Sequence, residues 1–160
     1  YRVFGEYDQA LMDYDMAIRL DSAYAPLTRF GTGKAFAKLG RVGEALREFT
    51  RAIDSPEPPV DAYYHRAKIY LDQVQNERAI RDLDRAISLD PALASAHILR
   101  GKANLDLGRY EEAVMDLNEA IRLRPDLPEA FDLRSRALLA LGRQDEAAQD
   151  LETAKRLGNS

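Results

Sequence analysis

Small and large apolar residues return along this chain at one interval. Alanine stands at Ala10, Ala45, Ala79, Ala113 and Ala147, and again seven positions later at Ala17, Ala52, Ala86, Ala120 and Ala154. Between each pair lies a bulky side chain: Tyr14, Phe49, Leu83, Leu117 or Leu151. The interval is 34 residues, with one of 35. A glycine divides each period into two apolar stretches at Gly5, Gly40, Gly108 and Gly142, with Val74 in its place in the third. Self-similarity at this spacing predicts a row of helical hairpins, each burying its apolar face against its neighbours. The period parses as a partial unit Tyr1–Ala25, then Pro26–Pro59, Val60–Leu93, Ala94–Leu127 and Pro128–Ser160. In the partial unit, Tyr1–Phe4 read as the end of a first helix and Tyr7–Leu20 as a second.

The helix ends carry their own signals. Glu44, Glu77, Glu111, Glu112, Asp145 and Glu146 open the second helices, where the helix dipole favours negative charge. Pro91, Pro125 and the Ser55–Pro59 stretch close them, since proline cannot continue a helix interior. Leu157-Gly158 predicts a last helix end with glycine in the left-handed position. The paired alanines permit close approach of helices, and Phe49 or Leu117 fills the adjoining space.

Ala94–Leu127 shows the whole pattern: Gly101 within the first helix, the Leu107-Gly108-Arg109-Tyr110 turn, Ala113, Ala120 and the closing Pro125. On these residues the chain resembles the tetratricopeptide repeat family over essentially its full length. The resemblance implies an all-α fold, a right-handed superhelical solenoid of antiparallel helix pairs, acting as a protein-interaction scaffold without catalysis or cofactor. Three departures bear on local packing: Val74 for the turn glycine, Ser135 where Gly101 sits in the preceding unit, and Asn104 where other units have Phe36, Tyr70 and Leu138.

In this family the first helix of each repeat lines the concave surface. Its fifth position here is Phe30, Tyr64 and Ile98, then Asp132; its ninth is Lys34, Lys68, Lys102 and Arg136. Leu71, Leu105 and Leu139 extend the same helical face. The implied site is a groove for an extended or helical peptide, its apolar side chains held by Phe30, Tyr64, Ile98, Leu71 and Leu105 and its carboxylates met by Lys34, Lys68, Lys102 and Arg136. Lys68 with Asp72 and Lys102 with Asp106 read equally well as solvated i,i+4 pairs. The asparagines with which one subclass clamps chaperone tails are absent from the comparable positions. Arg66, Arg100 and Arg134 each precede an aspartate, Asp82, Asp116 and Asp150, by 16 residues, which predicts structural ion pairs.

Composition narrows the alternatives. Of 160 residues, 46% are hydrophobic and 31% charged, so the chain is neither a disordered acidic tail nor a membrane span. The net charge of -4, and Asp61, Asp72, Asp106, Glu129 and Asp132 on the inner helices, argue for a protein partner over nucleic acid. No cysteine is present, which excludes disulfides and thiol chemistry. Gly31-Thr32-Gly33-Lys34 fails the phosphate-loop pattern, and His65 and His97 lack converging metal ligands. The chain opens on Tyr1 and not on methionine, so a preceding segment is expected, and a recognition segment of a larger enzyme or membrane-anchored assembly protein is the alternative reading. Unpaired faces around Val3, Phe4 and Leu11, and around Leu139, Leu151 and Ala154, predict end-to-end self-association. The compartment stays open, a cytoplasmic one being favoured over a periplasmic or extracellular one.

Overall fold

The computed structural model describes Met12, Asp13, Met16 and residues 25–158. Of the expected helix near Tyr7–Leu20, Met12, Asp13 and Met16 are helical and exposed. Gly5, Ala10, Tyr14, Ala17 and the face around Val3, Phe4 and Leu11 lie outside the described residues. Among those described the structure has eight helices and no strand: α1 Ala25–Lys38, α2 Val42–Ile53, α3 Val60–Asp72, α4 Asn76–Leu89, α5 Ala94–Asp106, α6 Tyr110–Leu123, α7 Pro128–Ala140 and α8 Gln144–Gly158. The chain divides into two compact units, residues 1–69 and 70–160. No helix among the described residues is long and apolar enough to cross a membrane.

In the first unit α1 and α2 pack as an antiparallel pair around Phe49, which is completely buried among Ala45, Ala52, Ala62 and Ile69. Gly33 explains how closely the helices approach. A Cβ at that position would lie 2.6 Å from Phe49 Cε1, so a larger residue must displace the aromatic ring.

The second unit repeats the arrangement. α5 packs on α6 and α7 on α8, while α4 meets α5 and α6 meets α7. Leu83 and Leu117 are fully buried, and Ala79, Ala86, Ala113 and Ala120 show no exposed surface. Gly101 has the same role as Gly33: its Cβ would stand 2.9 Å from Leu117 Cγ. Ser135, at the equivalent place in the next hairpin, is buried and satisfies its hydroxyl by donating to the Asp132 carbonyl at 2.8 Å. At the chain's last hairpin Leu139 and Leu151 are exposed as expected, but Ala154 is buried. Gly158, the last described residue, is helical and does not take the left-handed conformation expected of it.

The turns between paired helices share one geometry. Gly108 N donates to the Leu105 carbonyl and Arg109 N reaches back to the Asn104 carbonyl, the paired bonds of a Schellman ending. Gly40 and Gly142 form the same turn, and the three glycines have φ of 72°, 74° and 76°. Val74 adopts it too, at φ 57°, with Val74 N bonded to the Leu71 carbonyl and Gln75 N to the Tyr70 carbonyl. The repeat thus imposes left-handed backbone on a β-branched residue whose side chain is 79% exposed and gains little from packing. Val74→Gly is expected to stabilise the protein by about 1 kcal/mol: relief of about 1–3 kcal/mol of strain, less the extra chain entropy glycine loses on folding. Urea denaturation measures the difference, and an unchanged or lower midpoint would show that the strain is absorbed by the turn.

Candidate functional site

The first unit brings Phe30 and Lys34 on α1 together with Tyr64 and His65 on α3. Phe30 and Tyr64 are half-buried, and Lys34 and Lys68 are exposed. His65, which the sequence pattern marks only as lacking converging metal ligands, is the hub. Its ring lies 5.5 Å from Phe30, 5.4 Å edge-on to Tyr64 and 6.0 Å stacked on Phe49, centroid to centroid. Lys34 Nζ stands 5.3 Å from the centre of the Phe30 ring, a cation–π distance. Burial, and then the charge of Lys34, hold His65 below the ordinary histidine value; Asp61 opposes this, and Lys68 and Lys38 add to it. Among the described residues Lys34, Lys38 and Lys68 make no ion pair, the expected Lys68–Asp72 pair included.

The second unit treats its share of the expected site residues differently. Ile98 and Leu105 are 5% and 9% exposed and belong to the core cluster around Leu117, so their side chains offer little surface to a ligand. Leu71 is half-buried; Lys102 and Arg136 are exposed and unpaired among the described residues, as is the Lys102–Asp106 couple. Asp132 and Leu139 are exposed.

The arginine–aspartate register closes as bidentate pairs within the hairpins of this unit. Arg100 Nε lies 3.0 Å from both carboxylate oxygens of Asp116, and Arg134 Nε and Nη2 each bond Asp150 at 2.7 Å. The same arginines also reach back to the preceding second helix, Arg100 Nη1 to Asp84 at 2.6 Å and Arg134 Nη1 to Asn118 at 2.7 Å. In the first unit Arg66 Nη1 donates to Thr50 Oγ1 at 2.9 Å. One guanidinium therefore ties a helix to its partner and to the hairpin before it. Sequence reasoning found the forward half only; the signal for the other was the polar series Thr50, Asp84, Asn118 at the same interval. Asn104, buried, joins the group by donating to Asp116 Oδ2 at 3.2 Å, which accounts for its departure from the apolar pattern. Burial opposes the charge of Arg100, but the bonds to Asp116 and Asp84 outweigh it and raise its pKa. His97 is buried beside this cluster, its Nδ1 3.6 Å from Asp116 Oδ1 and its Nε2 3.2 Å from the Pro91 carbonyl. Among the described residues no three histidine or carboxylate groups are placed to hold a metal ion. Gly31-Thr32-Gly33-Lys34 lies inside α1 and forms no loop.

Helical hairpins at a fixed interval, small residues at the close approaches and a shared left-handed turn define a helical repeat protein. Tetratricopeptide repeat sequence models match residues 1–62, 30–93 and 64–128, and the chain belongs to that family, one of protein-interaction scaffolds. No curated protein sequence matches the chain. Among solved structures it is similar to MamA, with a TM-score of 0.86 and 22% identity over 99% of this chain and 92% of that one. A segment of MamA from Desulfovibrio magneticus RS-1, residue 41 to the end, gives 0.84 and 21% over 97% and 87%. YrrB, described as a TPR protein with an unusual peptide-binding site, gives 0.82 and 23% over 96% and 78%. At these identities the likeness is one of fold.

Proposed function

We propose that this chain is a non-catalytic interaction module that binds a peptide segment of another protein on the exposed faces of its first helices. The observation that carries the reading is the face of the first unit, where Phe30 and Tyr64 flank His65 and where Lys34 and Lys68 are exposed and make no ion pair among the described residues. Rings of this kind supply contact area at about 25 cal/mol per Å2, and the lysines set register and encounter rate. In the second unit Lys102 and Arg136 are likewise exposed and make no ion pair among the described residues, while Ile98 and Leu105 lie in its core. That a fold relative, YrrB, is described as having a peptide-binding site is consistent with this use of the repeat.

A displayed random-peptide library tests the reading. Peptides selected on the intact chain are expected to lose at least about tenfold in affinity for a Phe30→Ala, Tyr64→Ala variant whose circular dichroism is unchanged, since an aromatic anchor contributes roughly 2 kcal/mol or more. Undiminished binding would move recognition to another surface.

A further inference from the structure

The lysines near His65 make no ion pair among the described residues, as Lys102 and Arg136 also do not, whereas several arginines are paired. Arg100 and Arg134 hold carboxylates in bidentate pairs, and Arg109 pairs with Glu77. Lys34 and Lys38 on α1 and Lys68 on α3, whose charges act on His65, make no ion pair among the described residues. What α2 sets against the imidazole is the Phe49 ring, and among the described residues the charges that act on it are these three lysines and Asp61. A surface so arranged has positive potential over an aromatic floor, within a chain whose net charge is -4. The complementary ligand is anionic and carries apolar side chains between its charges. Asp61 beside His65 disfavours a continuous polyphosphate backbone and admits separated carboxylates, which can straddle it.

We propose that the α1–α3 face of the first unit is a proton-linked carboxylate subsite, taking an acidic peptide with interspersed aromatic or aliphatic side chains and holding it more tightly when His65 is protonated. The inference rests on the peptide-binding reading above and names its ligand class and regulation. In the free protein burial, and then the charge of the lysines, favour the neutral ring and oppose its protonation. A carboxylate seated among the lysines cancels that opposition, so binding draws a proton onto the ring; by linkage, acidification through the histidine range strengthens binding. Lys38 and His65 thereby become ligand-facing residues alongside Phe30, Lys34, Tyr64 and Lys68. The same protonation, without ligand, works against the fold: His65 is depressed, so its contribution to stability is complete above its unfolded value of about 6.5 and is lost as pH falls through the folded value.

The test uses the intact chain and fluorescence anisotropy with a labelled short peptide alternating glutamate with leucine and phenylalanine, and with its glutamine counterpart. Circular dichroism establishes that the chain is folded at each pH. The glutamate peptide is expected to bind at least about tenfold more tightly than the glutamine one, and about threefold more tightly at about pH 6.0 than at about pH 7.5. His65→Phe, which keeps an aromatic ring in the cage, should abolish the pH dependence, so that its affinities at about pH 6.0 and about pH 7.5 agree within about twofold of each other whatever the absolute value. Lys34→Met with Lys68→Met should weaken binding at both values. Equal affinity for the two peptides overturns the carboxylate subsite while leaving peptide binding by the rings intact. A pH dependence that survives in His65→Phe overturns the assignment of the proton. Failure of both peptides, or displacement of the glutamate peptide by inorganic phosphate or by an oligonucleotide at lower concentration than by its unlabelled form, overturns the ligand class.

Discussion

Asp116→Ala should destabilise the protein by about 3 kcal/mol in chemical denaturation, more than any surface substitution in the chain. The carboxylate is 5% exposed, accepts two arms of Arg100 and one hydrogen of Asn104, and stands beside His97. Its removal leaves the Asn104 amide unsatisfied in the interior and opens space against His97, while Arg100 retains Asp84 on the solvent side. That retained partner places the expected cost at the lower end of the range for broken buried pairs. Pairing Asp116→Leu with Arg100→Met should cost less than Asp116→Leu alone, because the buried arm of the guanidinium is then no longer left facing an apolar side chain. A loss below about 0.5 kcal/mol for Asp116→Ala would mean that the cluster contributes nothing measurable.

Phe49→Ala is the second large effect, about 3–5 kcal/mol. Phe49 is completely buried, and its ring is the floor on which Phe30 and His65 rest, at 6.0 Å from each. The cavity left would be partly walled by Gly33, which has no side chain to move into it. The variant is therefore expected to lose peptide binding together with stability, whereas Gly33→Ala combined with Phe49→Leu should recover part of the packing. A Phe49→Ala protein with an unchanged denaturation midpoint would show that the helices close over the gap.

These two residues illustrate different degrees of legibility. Phe49 was readable from its recurrence with Leu83 and Leu117, since a large residue between two alanines at a fixed period is buried wherever a neighbouring hairpin covers it; Leu151, in the last hairpin, is exposed. The aspartates were readable as partners 16 residues after an arginine. The second use of each guanidinium was not, because it joins successive hairpins through residues of three different types, Thr50, Asp84 and Asn118. Ile98 and Tyr64 occupy the same repeat position, yet one is core and the other half-exposed. Helical periodicity places a residue on a face but does not state how far the neighbouring helix covers that face.

The sequence by itself determined the family, the helical hairpins, the recurrence of small residues where helices approach closely, and the acidic helix starts. All of these follow from local spacing and side-chain volume, which repeat because each hairpin solves the same packing problem. Tertiary structure alone decided which members of the aromatic and basic series remain accessible, that His65 sits in a ring cage facing three lysines, and that Val74 is held in left-handed backbone. Those outcomes depend on what adjacent helices present to one another. Burial and electrostatic environment are sums over neighbours distant in sequence, and a repeat pattern specifies the neighbours' positions without specifying their chemistry.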